Sequence, residues 1–234
     1  MPDLASAFVY YVVFLFSTTL HEAGHAWAAK LGGDLTAYHG GQVSLDPRPH
    51  IQREPFGMVI LPILTVVASG WPMGFASAPF DPAWALQYPK RAGWMALAGP
   101  GANLAVVLLS AAILRVGMAA GLFQPLYSVG FDHLAGVEGE TAWRGVAFFL
   151  SVLFSMNLLL ASLNLIPLPP LDGSAAIPVF LSPAAADKYQ RFLLQNGQTF
   201  ALIGMLAAWR LFDMIFGPIF RFAIEVLYLG VSYG

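Results

Sequence analysis

Two histidines and a glutamate lie close together in an otherwise apolar N-terminal stretch, in the sequence STTLHEAGHAW. His21 and His25 are four residues apart, so on a helix they lie one turn apart on one face and can bind a single metal ion. Glu22 directly follows the first histidine, where it does not ligate the metal but can take a proton from a water beside it. This spacing is typical of a zinc hydrolase.

The alternative explanation of these residues is a pair of hydrogen-bonded core histidines without a metal. Ionisable side chains in a membrane helix each cost roughly 2.5 kcal/mol or more unless they are partnered. Three such groups in so short a stretch therefore favour metal binding. The chain contains no cysteine, so every protein ligand of a metal must be His, Asp or Glu.

A hydrolytic zinc also needs a third protein ligand and an open fourth position. Asp172 is the candidate, in the sequence NLIPLPPLDG that follows a long apolar segment. The three prolines before it prevent a regular helix, so we expect an extended backbone from which Asp172 points back into the protein. The alternative is a solvated aspartate in a turn that ends a helix.

The composition indicates a membrane protein. Hydrophobic residues make up 58% of the chain, charged residues 10%, and the mean hydropathy is +0.67. Soluble domains carry about 25% charged residues, so this chain cannot cover itself with a solvated surface. We predict an all-α polytopic membrane protein in the lipid bilayer, with about four to six transmembrane helices. The net charge of −2 provides no basic face, so nucleic acid is not expected as a partner.

The hydrophobic pattern divides the single predicted domain, residues 1–234, into spans and connecting segments. The stretch GQVSLDP alternates and ends in a turn signal, which predicts a short β-hairpin. The segment 56–75 is broken by prolines and glycines, which favours a re-entrant segment over a kinked full span. The predicted order is a first span at 7–29, a strand and re-entrant region at 38–82, spans at 94–121 and 145–168, the LDG segment at 169–173, and a C-terminal span or interfacial helix at 196–229.

Loop charges predict the orientation of these segments. The loops within 30–55, 76–93 and 173–195 carry seven of the eleven lysines and arginines, whereas the loop 122–144, which contains Glu140, is acidic with only Arg144 as a basic residue, and the N-terminus carries only Asp3. The positive-inside rule places the three basic loops in the cytoplasm. This assignment holds only if the segment 56–75 enters the membrane and returns to the same side. The first span, 7–29, and the span at 145–168 then run parallel. Asp172 and the histidines then share a depth toward the cytosolic side of a multi-pass plasma-membrane protein.

The motifs together resemble the site-2 protease family of intramembrane zinc metalloproteases. The resemblance covers about residues 10–180 and is carried by HEAGH, by AGPGAN at residues 98–103, which we expect at the start of a later helix, and by NLLLASLNLIPLPPLDG at residues 157–173. It implies that His21, His25 and Asp172 hold Zn²⁺ and that Glu22 is the catalytic acid/base. It also implies hydrolysis of a peptide bond in or near a substrate's transmembrane helix. The chain shows no PDZ or nucleotide-binding domain, so we expect a minimal catalytic core.

Three asparagines are further site candidates. Asn103, Asn157 and Asn164 are predicted to contact substrate or to stabilise an oxyanion, although hydrogen bonding between helices explains Asn103 and Asn157 at least as well. Two other functions remain open from the residues alone, a membrane metal-ion transporter and a catalytically silent protein that binds membrane helices. The expected partners are the transmembrane helix of a substrate and the lipid bilayer. The sequence does not indicate an oligomeric state.

Overall fold

The computed structural model describes residues 4–139 and 141–230, so Asp3 and Glu140 of the loop-charge pattern lie outside it. Within these residues, three helices, Leu4–Gly32, Pro89–Ala119 and Trp143–Asn164, are long and apolar enough to cross a membrane, and two bent helix pairs raise the possible number of spans to five. The predicted all-α polytopic fold is therefore confirmed. The elements are α1 Leu4–Gly32, α2 Thr36–His39, α3 Pro47–Arg53, a π-helical turn Phe56–Ile60, α4 Leu61–Ser69, α5 Pro82–Gln87, α6 Pro89–Ala119, α7 Trp143–Asn164, α8 Asp172–Ala176, a 3₁₀ turn Ile177–Phe180 and α9 Pro183–Leu227.

Helices α1 and α6 pack closely in opposite directions. The guanidinium of Arg91, in the first turn of α6, donates to the carbonyl of Gly32 at the end of α1 (3.1 Å). A Cβ atom on Gly24 would lie 2.8 Å from the carbonyl oxygen of Ala98. Glycine and alanine at this crossing allow the two backbones to approach, as small residues do between membrane helices.

Helices α1 and α7 run in the same direction. Near their starts, the rings of Tyr10 and Phe148 lie 5.9 Å apart. Further along both helices, the amide of Asn157 donates to the hydroxyl of Ser17 (2.8 Å). The end of α7 therefore lies beside the C-terminal half of α1, which is the parallel arrangement predicted from the loop charges.

The segment after α3 folds back on itself. The chain runs through α4 and returns as a non-helical stretch, residues 71–81, which we call the return arm. The backbone N–H of Phe75 donates to the carbonyl of Gly57 (3.1 Å), and the hydroxyl of Ser77 donates to the carboxylate of Glu54 (2.7 Å). Both ends of the segment therefore lie on one side of the bundle, as re-entry requires.

The predicted β-hairpin is wrong. In the described residues between 38 and 56 the structure contains a helical turn, a loop and α3, and no strand. The Asp46 carboxylate accepts the N–H of Arg48 (3.0 Å), and Pro47 occupies the first helical position, which are strong helix-start signals. Alternation predicts a strand only where a neighbouring strand can pair with its backbone, and these residues have no such neighbour in the described chain.

Asp34 fixes the far end of the return arm to the end of α1. Its buried carboxylate accepts the N–H and hydroxyl of Thr36 and the N–H of Asp81 (2.6–2.9 Å). Burial alone would raise the pKa of Asp34, but these hydrogen bonds outweigh burial and hold its pKa below the usual value. At the other end of the arm, the ring of Trp71 lies 5.4 Å from that of Tyr10, so the return arm is held beside α1 at both of its ends.

Two helices begin earlier than the predicted spans, at positions where a proline starts the helix. α6 begins at Pro89, and α9 begins at Pro183 behind the capping hydroxyl of Ser182. Proline is favoured at the first helical position because its missing N–H costs nothing there. AGPGAN lies well inside α6, not at its start. α9 continues to Leu227 and bends by 46° between Phe212 and Met214.

Candidate metal centre

Three predicted metal ligands converge at the centre of the bundle. The Nε2 atoms of His21 and His25 lie 3.0 Å apart, and Asp172 Oδ2 lies 3.0 Å from the first and 3.3 Å from the second. Both histidines are buried, and the Asp172 side chain is 21% exposed. In a tetrahedral zinc site with ligands about 2.0–2.2 Å from the ion, ligand atoms are about 3.3 Å apart. The triangle is therefore close to the size that zinc requires.

The hydrogen bonds of the two imidazoles leave both Nε2 atoms as electron-pair donors. The backbone carbonyl of Met95 accepts the Nδ1–H of His25 (2.8 Å). The side-chain oxygen of Asn103 accepts the Nδ1–H of His21 (2.5 Å), because the NH₂ group of Asn103 donates elsewhere. Two imidazole lone pairs and the Asp172 carboxylate thus point at one another, which favours a cation between them. Acceptors of this kind, bonded to the ring nitrogen that faces away from the metal, also orient metal-binding histidines.

Two further observations fit a metal at this position. Glu22 is 5% exposed, and its Oε2 atom has no hydrogen-bond partner among the described residues. Its carboxylate and the two imidazoles have ligand atoms within 4.8 Å of one another. On the opposing helix, a Cβ atom on Gly99 would collide with Nε2 of His25 and lie 2.7 Å from Nε2 of His21. The absence of a side chain there leaves room in front of both ligand atoms.

Asp172 reaches the histidines because the chain reverses sharply after α7. Residues 165–171 form a series of turns, not the extended stretch that the prolines suggested. A Cβ atom on Gly173 would collide with the carbonyl oxygens of Leu165 and Ile166. Glycine at 173 therefore allows the chain to fold back across the end of α7, with Asp172 facing the bundle.

The structure places Asn103 and Asn157 behind the ligands. Both are fully buried. The NH₂ group of Asn103 donates to the carbonyl of Ser17 (3.2 Å) and to Asn157 (2.8 Å), while Asn157 donates to the Ser17 hydroxyl and the Leu153 carbonyl. These contacts match hydrogen bonding between helices, and they orient His21. A substrate contact by either residue stays a prediction.

Asn164 differs from the other two asparagines. It is the last residue of α7 and is only partly buried. Its NH₂ group donates to the carbonyl of Leu160 in its own helix (3.0 Å). The side chain is therefore held by a local bond that a substrate can replace, and its predicted role as a substrate contact is retained.

Replacing Gly99 by Ala is expected to weaken zinc binding by at least about tenfold, because the new Cβ collides with a ligand atom. Loss of a residue that only hydrogen-bonds to a metal ligand already lowers metal affinity by this much. Isothermal titration of the metal-free protein with zinc measures this. Gly101→Ala on the same helix is the matched control, since its Cβ would have no atom within 4 Å. Equal zinc affinities in the two variants would contradict the proposed position of the metal.

Comparison with known proteins assigns the chain to a family. Residues 9–204 match the family described as Peptidase family M50. The chain belongs to this family. A relative from Mycobacterium tuberculosis, named "Putative zinc metalloprotease Rip2", is 34% identical over 88% of this chain and 69% of its own length. A relative from Bacillus subtilis, "Putative zinc metalloprotease YwhC", is 29% identical over 76% of this chain and 71% of its own length. No solved structure matches the chain.

The family assignment confirms the resemblance to site-2 proteases. The protein is a zinc-dependent metalloendopeptidase of this type, built on apolar membrane-type helices. Membership in a peptidase family favours proteolysis over the two other functions, metal-ion transport and silent helix binding.

Sequence reasoning missed two groups that shape the site without binding metal, Gly99 and the Met95 carbonyl. Gly99 belongs to AGPGAN and lies four residues before Asn103, a predicted site residue, and this spacing puts both on the face of α6 toward His21. That periodicity was the available signal for a role beside the metal. No sequence signal identified the Met95 carbonyl, because a backbone acceptor leaves no trace in residue type.

Proposed function

We propose that the protein cleaves a peptide bond in or near the transmembrane segment of a membrane-protein substrate, as a step of regulated intramembrane proteolysis. In this proposal His21, His25 and Asp172 hold Zn²⁺, and Glu22 is the catalytic acid/base. The observation that carries it is the convergence of three electron-pair donors, two of them on buried histidines, beside a carboxylate with an unpartnered oxygen.

The depth of the site supports cleavage inside the membrane. His21 lies about 25 Å along α1 from Leu4 and about 16 Å from Gly32, at 1.5 Å per residue. With the basic loops in the cytoplasm, the centre lies in the bilayer of the plasma membrane and toward its cytosolic side. Water then has its shorter route from the cytosol.

Zinc, when bound, acts as a Lewis acid that acidifies a water molecule and polarises the scissile carbonyl. Glu22 takes a proton from the attacking water as the water oxygen bonds to the carbonyl carbon. Glu22 then gives that proton to the departing nitrogen as the C–N bond breaks, which leaves a carboxylic acid and an amine. His21 and His25 stay fixed through Asn103 and Met95 during these steps.

The substrate must lose helical structure near the cut, since a helical peptide bond is covered by its own hydrogen bonds and side chains. The return arm (71–81) is the best candidate to hold the unwound stretch. It is non-helical. It packs closely against α1, since a Cβ atom on Gly74 would collide with the Phe14 ring. Pairing of a peptide with an exposed backbone edge is a general mode of recognition. The region 38–55 is a weaker candidate because it is largely helical.

The test is cleavage of a tagged single-pass membrane protein by the purified full chain in liposomes. We expect a cut within the apolar segment, located by mass spectrometry, that stops on treatment with 1,10-phenanthroline and returns when zinc is added. A cut confined to an extramembrane loop, or cleavage that resists the chelator, would contradict the proposal.

A further inference from the structure

Two threonine hydroxyls beside the candidate metal centre have no assigned role. Thr18 and Thr19 are 7% and 2% exposed, and their Oγ1 atoms have no hydrogen-bond partner among the described residues. A threonine in a helix commonly bonds the carbonyl one turn back, and Thr65 does so with Leu61 (3.0 Å). Burying an unpartnered hydroxyl costs free energy. Two adjacent instances beside a catalytic carboxylate therefore call for a ligand.

Both threonines lie on the same side of α1 as Glu22. Thr18 precedes Glu22 by four residues and Thr19 precedes it by three, so both side chains are its neighbours one turn away. The Glu22 carboxylate itself has one unpartnered buried oxygen. Three polar atoms without partners thus belong to residues on one side of α1 next to the metal ligands, a group that we call the threonine patch.

The threonine patch continues the face of α1 that meets the re-entrant segment. Tyr11 and Phe14 lie seven and four residues before Thr18, on the same face. The Tyr11 hydroxyl donates to the carbonyl of Met58 (3.4 Å), and the Phe14 ring packs against Gly74 of the return arm. A polypeptide lying between the return arm and Glu22 therefore passes the two hydroxyls.

We propose that Thr18 and Thr19 hydrogen-bond the main chain of the unwound substrate next to the scissile bond. This inference rests on the proposed function. Unwinding a membrane helix exposes N–H and C=O groups that are costly to leave unpaired away from water. A hydroxyl both donates and accepts, so the threonine patch can pair with either group whatever the substrate's side chains are.

The test measures binding without turnover, in the Glu22→Gln protein. The probe is a fluorescein-labelled peptide of about 20 apolar residues with a Gly-Gly pair at its centre, and its Kd in detergent is measured by fluorescence anisotropy. Adding Thr18→Val and Thr19→Val, which keep the side-chain shape, is expected to weaken binding at least tenfold. Adding Thr18→Ser and Thr19→Ser, which keep the hydroxyls, is expected to leave binding within threefold of the parent.

Ser110→Ala is the matched control, because Ser110 in α6 also carries a buried unpartnered hydroxyl but lies about 10 Å beyond Asn103. Its loss is expected to leave binding unchanged. The double valine variant should keep or raise the thermal midpoint, since it removes buried unpartnered groups. The proposal is overturned if the valine pair binds as well as the Ser110 control, or if serine fails to restore binding. Cleavage by the Glu22→Gln protein would instead refute the acid/base role that the proposed function gives to Glu22, while the binding comparison still decides the role of the threonines.

Discussion

Replacing Glu22 by Gln is expected to abolish peptide-bond cleavage while the protein keeps its zinc. Glutamine has nearly the shape of glutamate but cannot accept a proton from the attacking water. General acid–base catalysis contributes about 10²–10⁴-fold, so turnover should fall at least a hundredfold. Zinc should remain because His21, His25 and Asp172 already supply the three protein ligands of the proposed site. Cleavage of the tagged substrate and zinc by mass spectrometry are measured on the same preparation.

Glu225→Gln provides the control for this change. Glu225 is exposed near the end of α9, far along the chain from the metal centre. The same loss of one carboxylate there should change neither turnover nor zinc content. Normal turnover in the Glu22 variant would exclude the acid/base role, and loss of zinc would make Glu22 a ligand instead.

The arrangement of the candidate site residues could be predicted because their geometry is local or follows from helix direction. His21, Glu22 and His25 are fixed relative to one another by a single helix, so their spacing alone determines the arrangement. Asp172 is about 150 residues away, yet loop charges predicted that α1 and α7 run parallel, and the structure brings its carboxylate to 3.0 Å from His21. Charge at the loops and periodicity in the spans were sufficient for this part of the fold.

The prediction of a β-hairpin failed because a strand is not a local structure. The residues around Gln42 alternate in polarity, but a strand needs a neighbour, and neighbours depend on the whole chain. The capping carboxylate of Asp46 and the proline after it were local signals for a helix, and they decided the outcome. Where alternation and a helix cap compete over so few residues, the cap has the stronger physical basis.

The space around the proposed metal ligands could not be predicted from the sequence either. Gly99 matters because a neighbouring helix presents two imidazoles to its missing side chain, and that register depends on how α1 crosses α6. A glycine in a membrane helix is common at any crossing, so its residue type does not separate a packing role from a place beside a metal. Only the three-dimensional contact does.

Replacing Asp172 by Ala is expected to remove zinc from the purified protein and, with it, all cleavage. The variant keeps two of three protein ligands. Loss of a direct ligand should lower zinc affinity by more than the 10–100-fold that is typical when a residue hydrogen-bonded to a ligand is lost. About one zinc per chain in wild type should therefore fall to a small fraction after dialysis. Asp187→Ala is the matched control, because Asp187 forms a surface ion pair with Arg191 (3.1 Å), and such pairs contribute little.

The two aspartate variants separate three explanations of the centre. Loss of zinc from the Asp172 variant alone joins two motifs about 150 residues apart into one metal site. Zinc retained without Asp172 would mean that another group completes the site, and its position would have to be sought among the neighbours of His21 and His25. No zinc in wild type or in either variant would leave the close contacts of these three side chains as hydrogen bonds that hold α1 against the end of α7. The Glu22 variant adds the remaining distinction, because it alone should be inactive while it still contains metal.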